Sequence, residues 1–68
     1  MEHAEKLNNF ALIRKERKML QEDVASALGV DRSSVAKWET GKAVPRATML
    51  IKLADLFHCT VDELLRRD

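Results

Sequence analysis

Cysteine occurs once in the 68 residues, as Cys59, so no disulfide can staple this chain. The same scarcity bears on metal. The only other soft ligands are His3 and His58; His58 is adjacent to Cys59, and no second pair of ligands exists to complete a tetrahedron. Neither a metal nor any other cofactor is expected, and a lone thiol fits a reducing, intracellular setting. Glycine and proline are almost as rare: Gly29, Gly41 and Pro45 are the full set. Each falls between apolar-periodic runs, where it punctuates rather than interrupts. Long apolar stretches are missing too. Met49-Leu50-Ile51 is far short of the roughly 20 residues a membrane-spanning helix needs. Met1 to Lys6 is acidic and polar with no apolar run behind it, unlike a signal peptide. A cytoplasmic protein without membrane contact is expected.

Further absences exclude chemistry. No Ser/His/Asp or Cys/His set can be assembled from His3, His58 and Cys59, and no glycine-rich loop could cradle a phosphate. A chain this short also lacks room for a sizeable pocket. An enzyme with a small-molecule substrate is not expected. No apolar/polar alternation survives for more than a few residues, which argues against a sheet.

What remains is one domain spanning 1–68, whose core contributes only roughly 3–5 kcal/mol net. Such a chain needs well-formed helices or a partner subunit. The net charge of +1 is small, but it is sorted along the chain: residues 14–18 carry +3, residues 32–46 carry +3, and the stretch between them carries −3. Segregated cationic patches suit a surface that docks on phosphates; ordinary solvated helix faces would look the same from charge alone.

The apolar spacing predicts five short helices. The first covers about Glu5 to Lys18, with Leu7, Phe10, Ile13, Arg14 and Arg17 on one stripe. The second runs from about Gln21 to Leu28 with Val24, Ala25 and Leu28 inward, Glu22 and Asp23 in the favourable first turn, and Gly29 ending it. Leu20 stands where a Ser or Thr cap is expected, an omission that costs about 1 kcal/mol. The third runs from about Arg32 to Thr40, capped by Asp31, closed by Gly41, with Val35 and Trp38 inward. The fourth spans about Ala47 to Phe57 and buries Leu50, Leu53, Ala54 and Phe57. The fifth follows Thr60, where Thr60-Val61-Asp62-Glu63 has capping-box form, and points Val61 and Leu64 at the core. His58 terminates the fourth helix, and Cys59 reads as a small buried hydrophobe.

The stretch from Gln21 to Lys42 thus describes two short helices joined by a tight turn, with small Ala25 where the backbones cross closely and Val30 anchoring the connection. That arrangement turns Arg32, Ser33, Ala36 and Lys37 outward. An α-helix fits the major groove, where guanine offers N7 and O6 to Arg or Lys. The run of Arg14, Gln21, Ala25, Gly29, Val35, Glu39, Gly41, Lys42, Pro45 and Leu53-Ala54 resembles the Cro/C1-type helix-turn-helix family, the phage-repressor and Xre-like regulators. The resemblance extends from about Phe10 to Leu65, with a family core at about 7–65.

The resemblance implies an all-α, compact five-helix, lambda-repressor-like DNA-binding domain. It also implies a sequence-specific regulator of transcription, expected to be a repressor, which binds double-stranded DNA at a two-fold operator. By the same resemblance, Arg32, Ser33 and Lys37, with Ala36 beside them, fall on base-reading positions. Gln21 would bind a backbone phosphate with help from the helix N-terminus, Ser34 and Thr40 would touch phosphate or cap locally, and Lys42 and Arg46 would grip the backbone. Arg46 departs from the family, in which Ser often caps the fourth helix.

Each of these residues has a plainer reading. Arg14 and Glu39 could be surface charges, yet both lie beside apolar positions and the family pairs them as an internal lock between the first and third helices. Trp38 could stack on bases, but its spacing from Val35 places it in or at the edge of the core. Ile51 and Leu56 lie off the core stripe of the fourth helix, and Leu65 follows the inward Leu64. Exposed apolar residues there suggest a homodimer contact, although isolated exposed leucines are common on monomers. The rival from another class is a protein-interaction module of the same fold, an antitoxin or adaptor subunit. That role would need an added segment for its partner, and only Arg66 to Asp68 follow the last helix.

Overall fold

A computed structural model describes residues 8–66. Among them it shows five helices and no strand: α1 (Phe10–Glu16), α2 (Gln21–Leu28), α3 (Arg32–Thr40), α4 (Ala47–Phe57) and α5 (Val61–Leu65). The middle three have the bounds expected from sequence. The first does not. Glu5 and Leu7 lie outside the described residues, and Asn8 and Asn9 are not helical. The Asn8 Oδ1 accepts from the Phe10 amide at 3.0 Å, so the asparagine pair starts the helix rather than continuing it.

All five helices contribute to one core: Phe10 and Ile13 from α1, Val24 and Ala25 from α2, Val35 and Trp38 from α3, Leu53, Ala54 and Phe57 from α4, and Leu64 from α5. Phe57, Leu53, Leu64 and Val24 are the most deeply buried large side chains, each worth about 1.5–3 kcal/mol of transfer free energy. Leu28, Leu50 and Val61, expected inward, pack only half-buried at the rim. Arg17, expected on the inner stripe, is exposed. Its Nε instead donates to the Phe57 carbonyl at 2.7 Å and ties the end of α1 to the end of α4. At the other end, the Asn9 backbone amide and Nδ2 donate to the Leu64 and Glu63 carbonyls, both at 2.9 Å.

Four helices end in the same way. Residues Lys18, Gly29, Gly41 and His58 each take a left-handed conformation, φ 59°, 72°, 82° and 56°. In each case the next amide reaches back five residues along the chain: Met19 to Arg14, Val30 to Ala25, Lys42 to Lys37 and Cys59 to Ala54. This reversal satisfies carbonyls that the helix leaves open. Met19, Val30 and Cys59 then fold back against the core, whereas Lys42 stays exposed. The missing cap at Leu20 is supplied from the opposite direction. The Asp23 carboxylate accepts from the Leu20 amide at 2.7 Å, which is the half of a capping box that a leucine does not have to provide. Asp31 sits at the cap position of α3 but makes no side-chain capping bond there.

Candidate nucleic-acid interface

The close packing of α2 on α3, with Val35 and Trp38 held in the core, fixes which face of α3 meets solvent. Arg32, Ser33 and Lys37 are exposed on that face, and Ala36 and Ser34 are half-buried beside it. Arg32, Ser33, Ala36, Lys37, Thr40 and Lys42 line one shallow depression. Four of these six were singled out as base-reading positions, and the other two as phosphate contacts. Lys42 enters the group because the left-handed Gly41 turns the chain back alongside α3. Arg46 is exposed at the start of α4 and lies outside this depression. The Thr40 hydroxyl donates to the Ala36 and Lys37 carbonyls at 3.1 and 3.3 Å, so its proton is used within its own helix.

Behind this face lies a buried ion pair. Arg14 Nε donates to Glu39 Oε2 at 2.6 Å and its Nη2 to Oε1 at 3.3 Å, with side chains only 10% and 9% exposed. The third guanidinium nitrogen of Arg14 donates to the Met19 carbonyl at 2.8 Å. One side chain therefore joins α1, the connection to α2, and α3. Planar, bidentate geometry of this kind is specific to arginine.

Sequence reasoning missed what happens next. Gln21 Nε2 donates to Glu39 Oε1 at 2.9 Å, and Arg32 Nη1 donates to Gln21 Oε1 at 3.1 Å. An unbroken series of side-chain hydrogen bonds leads from the core to the first exposed residue of α3. Nothing in one sequence announces that positions 21 and 39 touch; the only hint was a polar residue opening α2.

The three apolar residues considered for a subunit contact do not share one surface feature. Ile51 and Leu65 are 55% and 44% exposed, while Leu56 is half-buried and packs against the core. Leu56 lines one depression with Ala27, Leu28, Lys52 and Asp55. Leu65 lines another with Phe10, Trp38, Val44 and Pro45. Val44, 79% exposed, was not anticipated. Among the described residues no helix is long and apolar enough to cross a membrane.

A family model described as helix-turn-helix matches residues 10–64. Among curated proteins, the chain is 38% identical over 65 residues to an HTH-type transcriptional activator, BcrR, of Enterococcus faecalis, and the match covers 96% of this chain and 30% of that protein. It is 37% identical over 62 residues to an HTH-type transcriptional regulator, AnsR, of Bacillus subtilis, covering 91% of this chain and 53% of that one. It is 34% identical over 47 residues to the transcriptional repressor RstR of a cryptic phage in Vibrio cholerae, covering 69% and 42%. The chain thus spans about a third to a half of the length of these relatives, which are transcription regulators and not enzymes. Among solved structures, a transcriptional regulator from Listeria innocua superposes with a TM-score of 0.73 at 32% identity, over 85% of this chain and 58% of that one. A crystal structure from Bacteroides fragilis superposes at 0.80 over 85% and 94%, and at 24% identity it bears on the fold alone.

Proposed function

Because the chain belongs to the Cro/C1-type helix-turn-helix family, we propose that it is the sequence-specific, double-stranded-DNA-binding domain of a transcription regulator. In this reading α3 lies in the major groove. Arg32, Ser33 and Lys37 face base edges, with Ala36 allowing close approach. Lys42 and Arg46 contact phosphates, with Gln21, Ser34 and Thr40 along the same rim. The observation that carries the reading is the single shallow depression on the outer face of α3, lined by Arg32, Lys37 and Lys42 with small residues between them. Base contacts from the cations would discriminate sequence, and phosphate contacts would add affinity without sequence information.

The bound species we propose is a homodimer on a two-fold operator, joined through exposed apolar residues of α4 and α5, chiefly Ile51 and Leu65, with half-buried Leu56 contributing less. Two copies would place their α3 helices about one DNA turn (~34 Å) apart. We propose repression as the regulatory effect, since occupancy of an operator needs no contact beyond DNA. The relatives include both an activator and a repressor, and a reporter fused to the recovered operator distinguishes the two.

Selection of bound sequences from a random duplex pool tests the function. The expected result is a motif with two related half-sites, and Lys37→Ala should relax preference at one or two base pairs without lowering the melting temperature. Failure to bind random duplex even at low ionic strength, where phosphate contacts are strongest, would sink the proposal.

A further inference from the structure

We infer that Ala36 and Thr40 together form an apolar reader of a pyrimidine C5-methyl group, that of thymine first, so that Thr40 serves base recognition rather than phosphate grip. This inference rests on the DNA-binding reading above and deepens it.

The Thr40 hydroxyl has one proton, and it donates that proton to the Ala36 carbonyl at 3.1 Å and the Lys37 carbonyl at 3.3 Å. Phosphate oxygens accept, so a hydroxyl holds one only by donating. Threonine is branched at Cβ, and a hydroxyl fixed against the preceding turn sets the Cγ2 methyl in another staggered position. Thr40 is exposed and lines the depression on α3. What it has left to offer there is the methyl group. Ala36 stands one turn earlier on the same face, is half-buried, and lines the same depression. A methyl is the whole of its side chain.

Two methyl groups in line thus make an apolar strip in a depression whose other walls are Arg32, Ser33, Lys37 and Lys42. Base pairs present hydrogen-bond donors and acceptors in the major groove, and the thymine C5-methyl is the apolar exception. A polar base edge pressed on this strip would lose water without gaining a partner, which is unfavourable. A C5-methyl there exchanges water for apolar contact. Arg32 begins the same row one turn before Ala36, and Lys37 follows Ala36 in the chain. The methyl is therefore read beside the bases that the cations contact.

The experiment uses the full chain and a duplex recovered by wild-type selection, with each thymine replaced in turn by uracil, which lacks only the C5-methyl. One such replacement should weaken wild-type binding about 4-fold, the worth of one buried methyl group. Thr40→Ser keeps the hydroxyl and removes the methyl; it should weaken the thymine duplex and bring the thymine-to-uracil ratio at that position toward one. Thr40→Val keeps the methyl, removes the hydroxyl and should preserve the ratio. Ala36→Ser, which sets a hydroxyl in the strip, should lower it. Where the same base pair is changed to C·G, 5-methylcytosine should bind more tightly than cytosine. The inference is overturned if no single uracil changes wild-type affinity, if the recovered motif holds no thymine, or if Thr40→Ser and Ala36→Ser leave the ratio as it was. It is overturned too if Thr40→Val weakens every duplex by one common factor, as loss of a hydroxyl-to-phosphate contact would. The uracil series needs no variant, so it stands even if a substitution impairs folding. Absence of binding by the wild-type chain to any duplex would instead bring down the DNA-binding reading, and the inference with it.

Discussion

Arg14 illustrates how much a single side chain can organise in a core this small. It is charged, it is 8% exposed, and every nitrogen of its guanidinium donates to the surrounding frame, two to the Glu39 carboxylate and one to the Met19 carbonyl. Breaking such a pair leaves the other charge buried and uncompensated. Glu39→Ala should therefore cost about 3–5 kcal/mol, as much as the roughly 3–5 kcal/mol that a domain of this size has available. Urea or thermal unfolding should show the variant largely unfolded at room temperature. The double replacement Arg14→Met with Glu39→Leu removes both charges and should recover most of that loss, while leaving Gln21 without its anchor. Burial of the pair could be suspected from its neighbours at apolar positions. The extension to Gln21 could not, because it depends on the approach of two helix ends separated by 18 positions in sequence.

Among the helices, those with the clearest punctuation were the easiest to read. Gly29 and Gly41 mark left-handed reversals that only glycine adopts without cost, and the bounds of α2 and α3 follow from them. The end of α4 was legible even without glycine, and His58 bears the strain there. A left-handed L-residue costs about 1–2 kcal/mol, so His58→Gly should raise stability by up to about 1 kcal/mol after its added freedom in the unfolded chain is counted. Thermal melting would show this, with Gly29→Ala as the opposite case, destabilised although a β-carbon there meets open space.

The start of α1 was misjudged because the stripe of apolar residues continues past the point where Asn8 and Asn9 take over the backbone. At α5 the reciprocal cap was legible. Thr60 Oγ1 accepts from the Glu63 amide at 3.0 Å and Glu63 Oε1 accepts from the Thr60 amide at 2.8 Å. The Thr60 backbone and hydroxyl hydrogen bonds hold the Glu63 carboxyl below its ordinary value, aided by Arg66 and Arg17. A lowered folded-state value means that the cap is fully formed above the ordinary glutamate range of about 4.3 and is lost as pH falls through the lowered value. Amide exchange in α5 should accelerate in that acid window, and Glu63→Gln should flatten the dependence. The neighbouring Cys59 thiol is pushed up, first by burial and then by Glu63, with Arg17 opposing. It stays protonated at neutral pH and packs as an apolar group.

At the scale of the whole molecule, the described chain begins and ends at the same place, since Asn9 binds the last carbonyls of α5. The helices between are joined by connections of only a few residues, so most contacts are local. Low contact order favours fast folding. Refolding should be a single exponential in the microsecond-to-millisecond range by temperature jump, and a slower dominant phase would contradict that expectation. Helix count, order and most of the core were legible from periodicity. How the faces lie against one another was not: Leu56 and Leu65, both considered for a subunit contact, line separate depressions.

The reversal at Gly29 has a final consequence. Only Gly29, Val30 and Asp31 separate α2 from α3, and a helix turns about 100° per residue. One amino acid added at the front of α3 would rotate Lys37 away from solvent and bring Val35 or Trp38 out of the interior. Under the DNA-binding function proposed above, a new preference comes from exchanging side chains at a few set positions rather than from lengthening the joint that presents them.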